Sequence, residues 1–551
     1  MLKPFRVCVV GGGPQGLAAL KNLLELNGPD EQLFDVELLE TRNCIGGKWA
    51  YTEDKSEITA LPNTAQNTSR IRNHYSDFPV SDAWKRGGRE GDIPMFLNQE
   101  ETAFYLEQYA QHFGLLKYVR FGWKVTQLQR DGENQKWILN TLCPRLGESR
   151  TELYDKIIIA TGQHHSPLVP QIEGTESFTG KTLHASEFKS KESFRGQAVL
   201  IVGSSNSAGD IASELAGTAK SVLLSHRRGV TVVPRIYQNR PIDVMMTRRI
   251  DTIMRAANSL APAYMASISE RLMKKMVSSA WKDRLRPEWG LNPETAPSIY
   301  FTPPMVSDSI IPLLEADAVK FVPGIQRVLE DGMIELQDGQ RVRVDIIIYC
   351  TGYNIDSALT RPVERRGKLE LPSLYHKIYH PEYPDSLAYL SFWHTVAGIC
   401  ELGDLASMGI AQVFAGRYQL PDLATMNHQI AQSHNFVNGL ATRAPQPISL
   451  QAAAQCLDRG PFIGFLHKAA GTQVSEKLGY GLAGWKFWWK DREFCNLLMT
   501  GVDSIHTARL FDGRPGSRKK WEGARQAIIE ANNELNRFEA RLNEEQKARA
   551  T

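Results

Sequence analysis

Residues 4–40, PFRVCVVGGGPQGLAALKNLLELNGPDEQLFDVELLE, decide the architecture. Phe5 to Val10 is a short apolar run halted by glycine, LAALKNLLEL carries apolar residues at helical spacing, and FDVELLE is a second strand-like run. Strand, glycine turn, helix and strand make one βαβ unit, whose two strands must lie parallel. Within the turn, Gly11 permits the tight bend, Gly13 lets the backbone approach a pyrophosphate, and Gly16 lets the helix close on the strand. Glu40 ends the second strand, where its carboxylate can accept hydrogen bonds from an adenosine ribose.

The pattern recurs at residues 197–225 as QAVLIV, GSSNSAG, DIASELA and SVLLS. Serine replaces the middle glycine and alanine the last. Both are small, so Gly203, Ser205, Asn206 and Ser207 can still surround a second pyrophosphate. The strand-end position that is acidic in NAD-selective sites is Ser225, followed by His226, Arg227 and Arg228. An arginine pair suits a 2′-phosphate, which favours NADPH over NADH. Two short buried-strand patterns, KIIIATG (156–162, with Thr161) and DIIIYCTGY (345–353, with Thr351 and Gly352), each close one nucleotide-binding half. Between the units, Asn98 with Glu101 three residues on, then Tyr105, Tyr109 and Phe113, predicts a capped helix ending near Gly114.

The fold class expected is α/β: two Rossmann-like dinucleotide-binding domains, the second nested in the first, with a helical insertion. Residues 1–165 form the first part of the FAD domain. Residues 166–355 form the NADPH domain, with the insertion at about 236–300, and residues 356–551 form the rest of the FAD domain and a C-terminal helical segment. Trp521 to Ala550 reads as a charged, solvated helix.

The chain of 551 residues carries 64 Lys plus Arg against 61 Asp plus Glu, a net charge of +3. So balanced a surface gives no reason to expect nucleic acid. Aromatic residues at 9% and charged residues at 23% exclude disorder and collagen. Seven scattered cysteines without a C-x-x-C pair argue for a reducing compartment. No H-E-x-x-H or clustered Cys/His pattern indicates a metal. The strand beginning at Val7 leaves no room for a secretory leader, and the richest apolar stretch, Leu387 to Cys400, is broken by Ser391, His394 and Thr395. A cytoplasmic protein without a transmembrane anchor is expected.

Between the two glycine turns, Phe178-x-Gly180-x-x-x-His184-x-x-x-Phe188 (FTGKTLHASEF) resembles the fingerprint of the class B flavin-dependent monooxygenases. ETRNCIGGKW (40–49), with Gly47 and Trp49, resembles the segment that wraps the flavin's adenosine and ring. QNTSR and YSDFP (66–79) are similar to the active-site segment of the flavin-containing monooxygenases, which puts their catalytic asparagine at Asn67. CTGYN (350–354), FIGFLHKAAGT (462–472) and KWEGAR (520–525) extend the likeness over nearly the whole chain.

The resemblance implies FAD in the first site and NADPH in the second. NADPH would reduce the flavin, dioxygen would add at its C4a carbon, and the hydroperoxide formed would oxygenate a soft nucleophilic nitrogen or sulfur of a small molecule. No side-chain nucleophile is needed. The amide of Asn67 would donate a hydrogen bond to that adduct or to retained NADP⁺ without acting as an acid. The competing reading keeps Asn67 as a turn cap, and His184 as a residue that orders the linker. Alternative chemistries are Baeyer–Villiger oxidation of a ketone and flavin-dependent halogenation. The first is disfavoured because Phe188 and Lys189 follow the fingerprint histidine where those relatives usually carry tryptophan. Another class, a non-oxygenating flavoprotein reductase or redox-sensing binder, is disfavoured by the missing C-x-x-C and by the two cofactor sites.

The insertion, including RPIDVMMTRR, carries ten basic and four acidic residues between Arg240 and Arg286. It reads as a roof over the active site, and its composition also permits weak peripheral contact with anionic membranes. Trp393, Trp485, Trp488 and Trp489 are core or tunnel lining. A homodimer is left open.

Overall fold

A computed structural model describes residues 3–29, 31–164, 166–281, 284–291, 296–354, 357–393, 398–444, 448–513 and 518–550. Two five-stranded parallel sheets organise the molecule. In the first the order is Leu387–Tyr389, Lys156–Ile159, Phe5–Val10, Phe34–Glu40, Val119–Phe121, with Phe5 opposite Phe34 and Val10 opposite Leu39. In the second it is Lys320–Pro323, Ser221–His226, Ala198–Val202, Ile346–Tyr349, Lys181–His184. Each glycine turn therefore leaves a central strand, with a strand added on either side. That is the switch point at which an open α/β sheet forms a crevice beyond its strand ends.

The strand apolars are buried on both faces, as parallel sheets require. Val7, Val9, Leu38 and Ile158 join one core with helices Pro14–Leu24 and Ile399–Phe414, while Val199, Ile201, Leu224 and Ile348 anchor a second. The late strand Leu387–Tyr389 pairs with Lys156–Ile159 after the second sheet is complete, which makes the second unit nested in the first. Helix Gln99–His112 begins with the expected reciprocal cap, Asn98 accepting from the Glu101 N–H and Glu101 accepting from the Asn98 N–H.

Two expectations are corrected. The tail helix, Ala524–Ala550, is not simply solvated: Ile528, Ala531, Leu535 and Phe538 are buried, the last three against Ile71, Met95, Val244 and Val502. Its many charges masked a narrow apolar stripe most of whose partners, Ile71, Met95 and Val244, lie hundreds of residues away. Of the four tryptophans, Trp393 is core, but Trp485 and Trp489 face outward.

Candidate functional site

In the first turn, Gly11 adopts φ +109°, and a Cβ there would lie 2.6 Å from the Ala160 carbonyl oxygen, beside Thr161. A Cβ on Gly16 would fall 1.8 Å from the Gly11 oxygen, so the helix closes directly on the turn. Gly13 differs, because a Cβ on it would meet nothing nearer than Gly47 Cα at 3.8 Å. The open cradle therefore lies at Gly13, at the positive end of helix Pro14–Leu24, and has room for a pyrophosphate.

Glu40 closes the turn. Its Oε2 accepts from the Gly12 N–H at 2.6 Å and its Oε1 from the Arg42 N–H at 2.8 Å. Burial raises its pKa while these two donors pull it down. Each oxygen keeps a lone pair for a ribose diol. The 40–49 segment folds back onto the turn, with the Gly46 N–H donating to the Gly12 oxygen at 2.9 Å, and Arg42 donating to the carbonyls of Gly47 and Ala50 at 2.9 and 2.7 Å. Trp49 is buried beside it, its indole N–H without a partner among the described residues. These residues fit an adenine dinucleotide.

The segment bearing Asn67 is held from three directions. From the first half, the Gln66 N–H donates to Leu97 at 2.8 Å, and the Gln66 side chain donates to Thr102 Oγ1 at 2.9 Å and accepts from Asn73 Nδ2 at 3.0 Å. From the second half, Asp210 on helix Asn206–Leu215 accepts from Thr64 Oγ1 at 3.0 Å, and Arg235 donates to the Gln66 and Ala65 carbonyls at 3.0 and 3.3 Å. From the insertion, Asp243 accepts from both the Ser69 N–H and its hydroxyl, each at 2.9 Å. Buried Arg72 bridges Glu401 at 2.9 Å and the Asp243 carbonyl at 3.2 Å.

Amid these constraints the Asn67 side chain is exposed and bonded to nothing in the described protein. It caps no turn. Sequence reading missed Gln66, Arg235 and Asp243. Asp243 lies within the RPIDVMMTRR motif that had been singled out, but its partner is 174 residues away.

In the second turn Gly203 adopts φ +115°, with a Cβ position 2.3 Å from the Cys350 oxygen. Ser205 precedes the helix, its side chain capping nothing, and Ser207 is exposed. Asn206 Oδ1 accepts from the Val306 N–H at 2.8 Å, which commits that oxygen to the fold and leaves the amide N–H groups for a ligand. The register corrects the expected strand-end position: Ser225 matches Leu39, and His226 stands where Glu40 does. Ser225 donates to the Pro323 carbonyl at 2.9 Å. Beyond it Arg227 is exposed, and Arg228 has its pKa lowered first by burial and then by Arg227. Two guanidiniums set side by side fit a dianionic phosphate.

The fingerprint residues hold the linker. His184 Nδ1 accepts from the Ser186 N–H at 3.2 Å, so Nε2–H donates to the Gly352 carbonyl at 3.0 Å, and burial keeps the ring neutral by lowering its pKa. Gly180 is required because a Cβ would lie 2.4 Å from the Asp345 oxygen. Phe188 is buried against Phe194 at 5.0 Å, and Phe178 packs under the second sheet. The Thr351 hydroxyl donates to the Leu168 carbonyl, tying the closing motif to the same linker. Among the described residues no group of His, Cys, Asp and Glu could hold a metal ion.

Comparison with known proteins agrees with this geometry. The family model described as flavin-binding monooxygenase-like matches residues 4–550. The chain is 34% identical over 540 residues to Monooxygenase aurF of Gibberella zeae, covering 96% of this chain and 97% of that one. It is 28% identical over 436 residues to Flavin-containing monooxygenase 5 of Rattus norvegicus, covering 77% and 76%. The structure of S-allyl-L-cysteine S-oxygenase from Allium sativum shares the fold, with a TM-score of 0.61 at 18% identity, covering 98% and 100%.

Proposed function

The chain belongs to the flavin-binding monooxygenase-like family and is an FAD-dependent monooxygenase that uses NADPH, and from that premise we propose that it transfers one oxygen atom of O₂ to a soft nucleophilic nitrogen or sulfur of a small molecule, with Asn67 governing the fate of the oxygen. The observation that carries this reading is the free amide of Asn67, in a segment whose Thr64, Gln66 and Ser69 are held by residues of both nucleotide halves and of the insertion. FAD, when bound, supplies the redox chemistry, accepting hydride from NADPH and activating dioxygen, which no protein side chain does.

The protein binds, orients and excludes water. Gly11, Gly13 and Gly16 with Glu40, Gly47, Trp49 and Thr161 hold FAD; Gly203, Ser205, Asn206, Ser207, Arg227 and Arg228 hold NADPH. Thr351 and Gly352 act at one remove, by fixing the linker. The domains are 1–165 with 356–551, and 166–355. Asn67 donates N–H bonds but has no proton to give near neutral pH, so it orders reactants without quenching them. S-allyl-L-cysteine S-oxygenase from Allium sativum, which shares the fold, is by its name an oxygenase of sulfur, and this supports the sulfur acceptor proposed here.

Seven free cysteines support a cytoplasmic setting, and no described helix is long and apolar enough to cross a membrane. The insertion is assigned to roof the active site, with weak peripheral contact with anionic membrane as a second role of its basic surface.

The test pairs wild type with Asn67→Asp on a panel of sulfide, tertiary amine, cyclic ketone and bromide, recording NADPH consumed, oxygenated product and released peroxide. The variant should keep its flavin and its NADPH oxidation while product per NADPH falls about ten- to a hundredfold, the worth of a hydrogen bond to a charged group. Unchanged coupling would remove Asn67 from the mechanism. Turnover of ketone or bromide alone would replace the soft-nucleophile reading.

A further inference from the structure

Helix Arg248–Leu260 is amphipathic the wrong way round for a soluble protein. Three of its four charged residues turn inward, Arg248 pairing with Asp503, and Asp251 with Arg255 and Arg459 at 2.9 and 2.8 Å, while Arg249 is exposed. Its apolar residues turn outward, Ile250, Ile253 and Leu260 being 44%, 57% and 87% exposed. A surface helix normally shows the opposite pattern. Helix Leu482–Lys490, LAGWKFWWK, repeats the feature with Leu482 at 92%, Trp485 at 51% and Trp489 at 80% exposed.

The outward direction of Trp485 and Trp489 is fixed by what lies behind them. Gly484 is pressed so closely on the Gly479 carbonyl that a Cβ would lie 1.8 Å from it, and Phe487 seats edge-on against Phe511 at 5.4 Å. Helix Arg492–Thr500 packs against both apolar helices, and its Cys495 lies within electrostatic range of Arg249. The two stripes therefore flank one shared element.

We propose that these stripes form a monotopic docking surface for an anionic lipid bilayer, with Trp485 and Trp489 inserted at the interface. This rests on the assignment of the insertion to peripheral membrane contact and adds the tryptophan helix as a second element. Charge selects the occupant. From Leu478 to Lys490 the chain carries Lys486 and Lys490, both exposed, and no acidic residue, and Arg249 is exposed on the neighbouring helix. Indole rings favour the boundary between water and hydrocarbon, and flanking lysines lay their stems on the apolar surface while their ammonium groups reach lipid phosphates.

The test uses the full chain with FAD and vesicles of phosphatidylcholine, with or without about one third phosphatidylglycerol. Wild type should co-sediment with the anionic vesicles, its tryptophan emission shifting to the blue, and release as salt rises. Trp485→Ser with Trp489→Ser should abolish both the shift and the sedimentation. Lys486→Gln with Lys490→Gln should weaken anionic binding roughly thirtyfold, about 1 kcal/mol per lysine, and leave neutral vesicles unaffected. Flavin content and NADPH oxidation in solution should match wild type throughout, which shows that the variants fold.

Unaltered vesicle binding by the tryptophan variant, with loss in Ile250→Ser/Ile253→Ser, would overturn the docking surface while leaving the insertion's membrane contact standing. No vesicle binding by wild type, with concentration-dependent dimers abolished by the tryptophan substitutions, would overturn both and make the surface a contact between two copies.

Discussion

The two nucleotide-binding halves share strand order but close their turns differently. In the first, the helix touches the turn through Gly16, against a backbone oxygen, and a carboxylate from the next strand grips the Gly12 N–H. In the second, Ala208 takes that helical position with its methyl fully buried, the close approach passes to Gly209 against the Met305 side chain, and Asn206 ties the helix start to Val306. The first closure is rigid because backbone meets backbone. The second is adjustable because it is built from side chains, and it ends in two arginines where the first ends in an acid. One topology thus yields one site suited to a permanently held cofactor and another suited to a nucleotide that exchanges.

The largest effect expected of this contrast is at the tight contacts. Gly16→Ala would place a methyl 1.8 Å from a carbonyl oxygen that cannot move without moving the strand. It should cost more than about 4 kcal/mol and give little folded protein, as thermal melts and expression would show. Gly209→Ala meets only a flexible thioether at 2.9 Å and should fold. Equal losses at both glycines would break the distinction between rigid and adjustable closure.

Next in size is cofactor loss without loss of fold. Gly13→Val fills a space that the protein itself leaves empty, so the variant should melt near wild type yet purify colourless. Stoichiometric flavin in that variant would move the cradle elsewhere.

Replacing Arg227 and Arg228 with uncharged residues should then weaken NADPH by roughly ten- to a hundredfold and NADH little, the worth of about 1.5–3 kcal/mol in charge-assisted bonds. Titration of each nucleotide measures it, and equal losses for both would show that the arginines do not read the 2′-phosphate.

The smallest effect concerns pH. Neutral His226, at the end of the second half's ribose strand, accepts at Nδ1 from the Gly229 N–H at 2.9 Å and donates its Nε2–H to the Trp289 carbonyl at 3.2 Å; burial holds its pKa below the usual 6.5. The folded chain therefore binds fewer protons here than the unfolded chain. Stability from this group rises with pH through the window below about 6.5 and is lost as pH falls through it. Denaturation at acidic and neutral pH should show a loss of about 1 kcal/mol or less from this group, and His226→Gln should remove that part of the difference. The first half has Glu40 at the equivalent strand end and places its own buried histidines elsewhere, His376 and His467 each having a pKa lowered to about 3 by burial, so the contrast is between the two strand ends alone.

Much of this was legible before folding. The glycine spacing, the strand-helix period and Glu40 are local features: strand, turn and helix lie within a few tens of residues, so their geometry follows from backbone sterics and hydrophobic period alone. The arginine pair and Asn67 were legible too, the latter through its likeness to a family. The residues that hold the segment around Asn67 were not. Asp243, Arg235 and Asp210 lie 143 to 176 positions beyond Asn67 in the chain, and each is an ordinary polar residue in its own neighbourhood.

The same limit explains the two corrected elements. Trp521 to Ala550 carries so many charges that its apolar stripe could be seen only once Ile71 and Val244 were packed against it. Trp485 and Trp489, apolar and clustered, pointed inward by composition and are turned outward because Gly484 and Phe487 take the inner face. The sequence by itself determined two dinucleotide-binding units and their cofactor preferences, since these are written in contiguous backbone requirements. Tertiary structure alone decided which side chain is left free at their junction and which apolar faces remain in water, because satisfaction and burial are properties of distant pairs that no local pattern encodes.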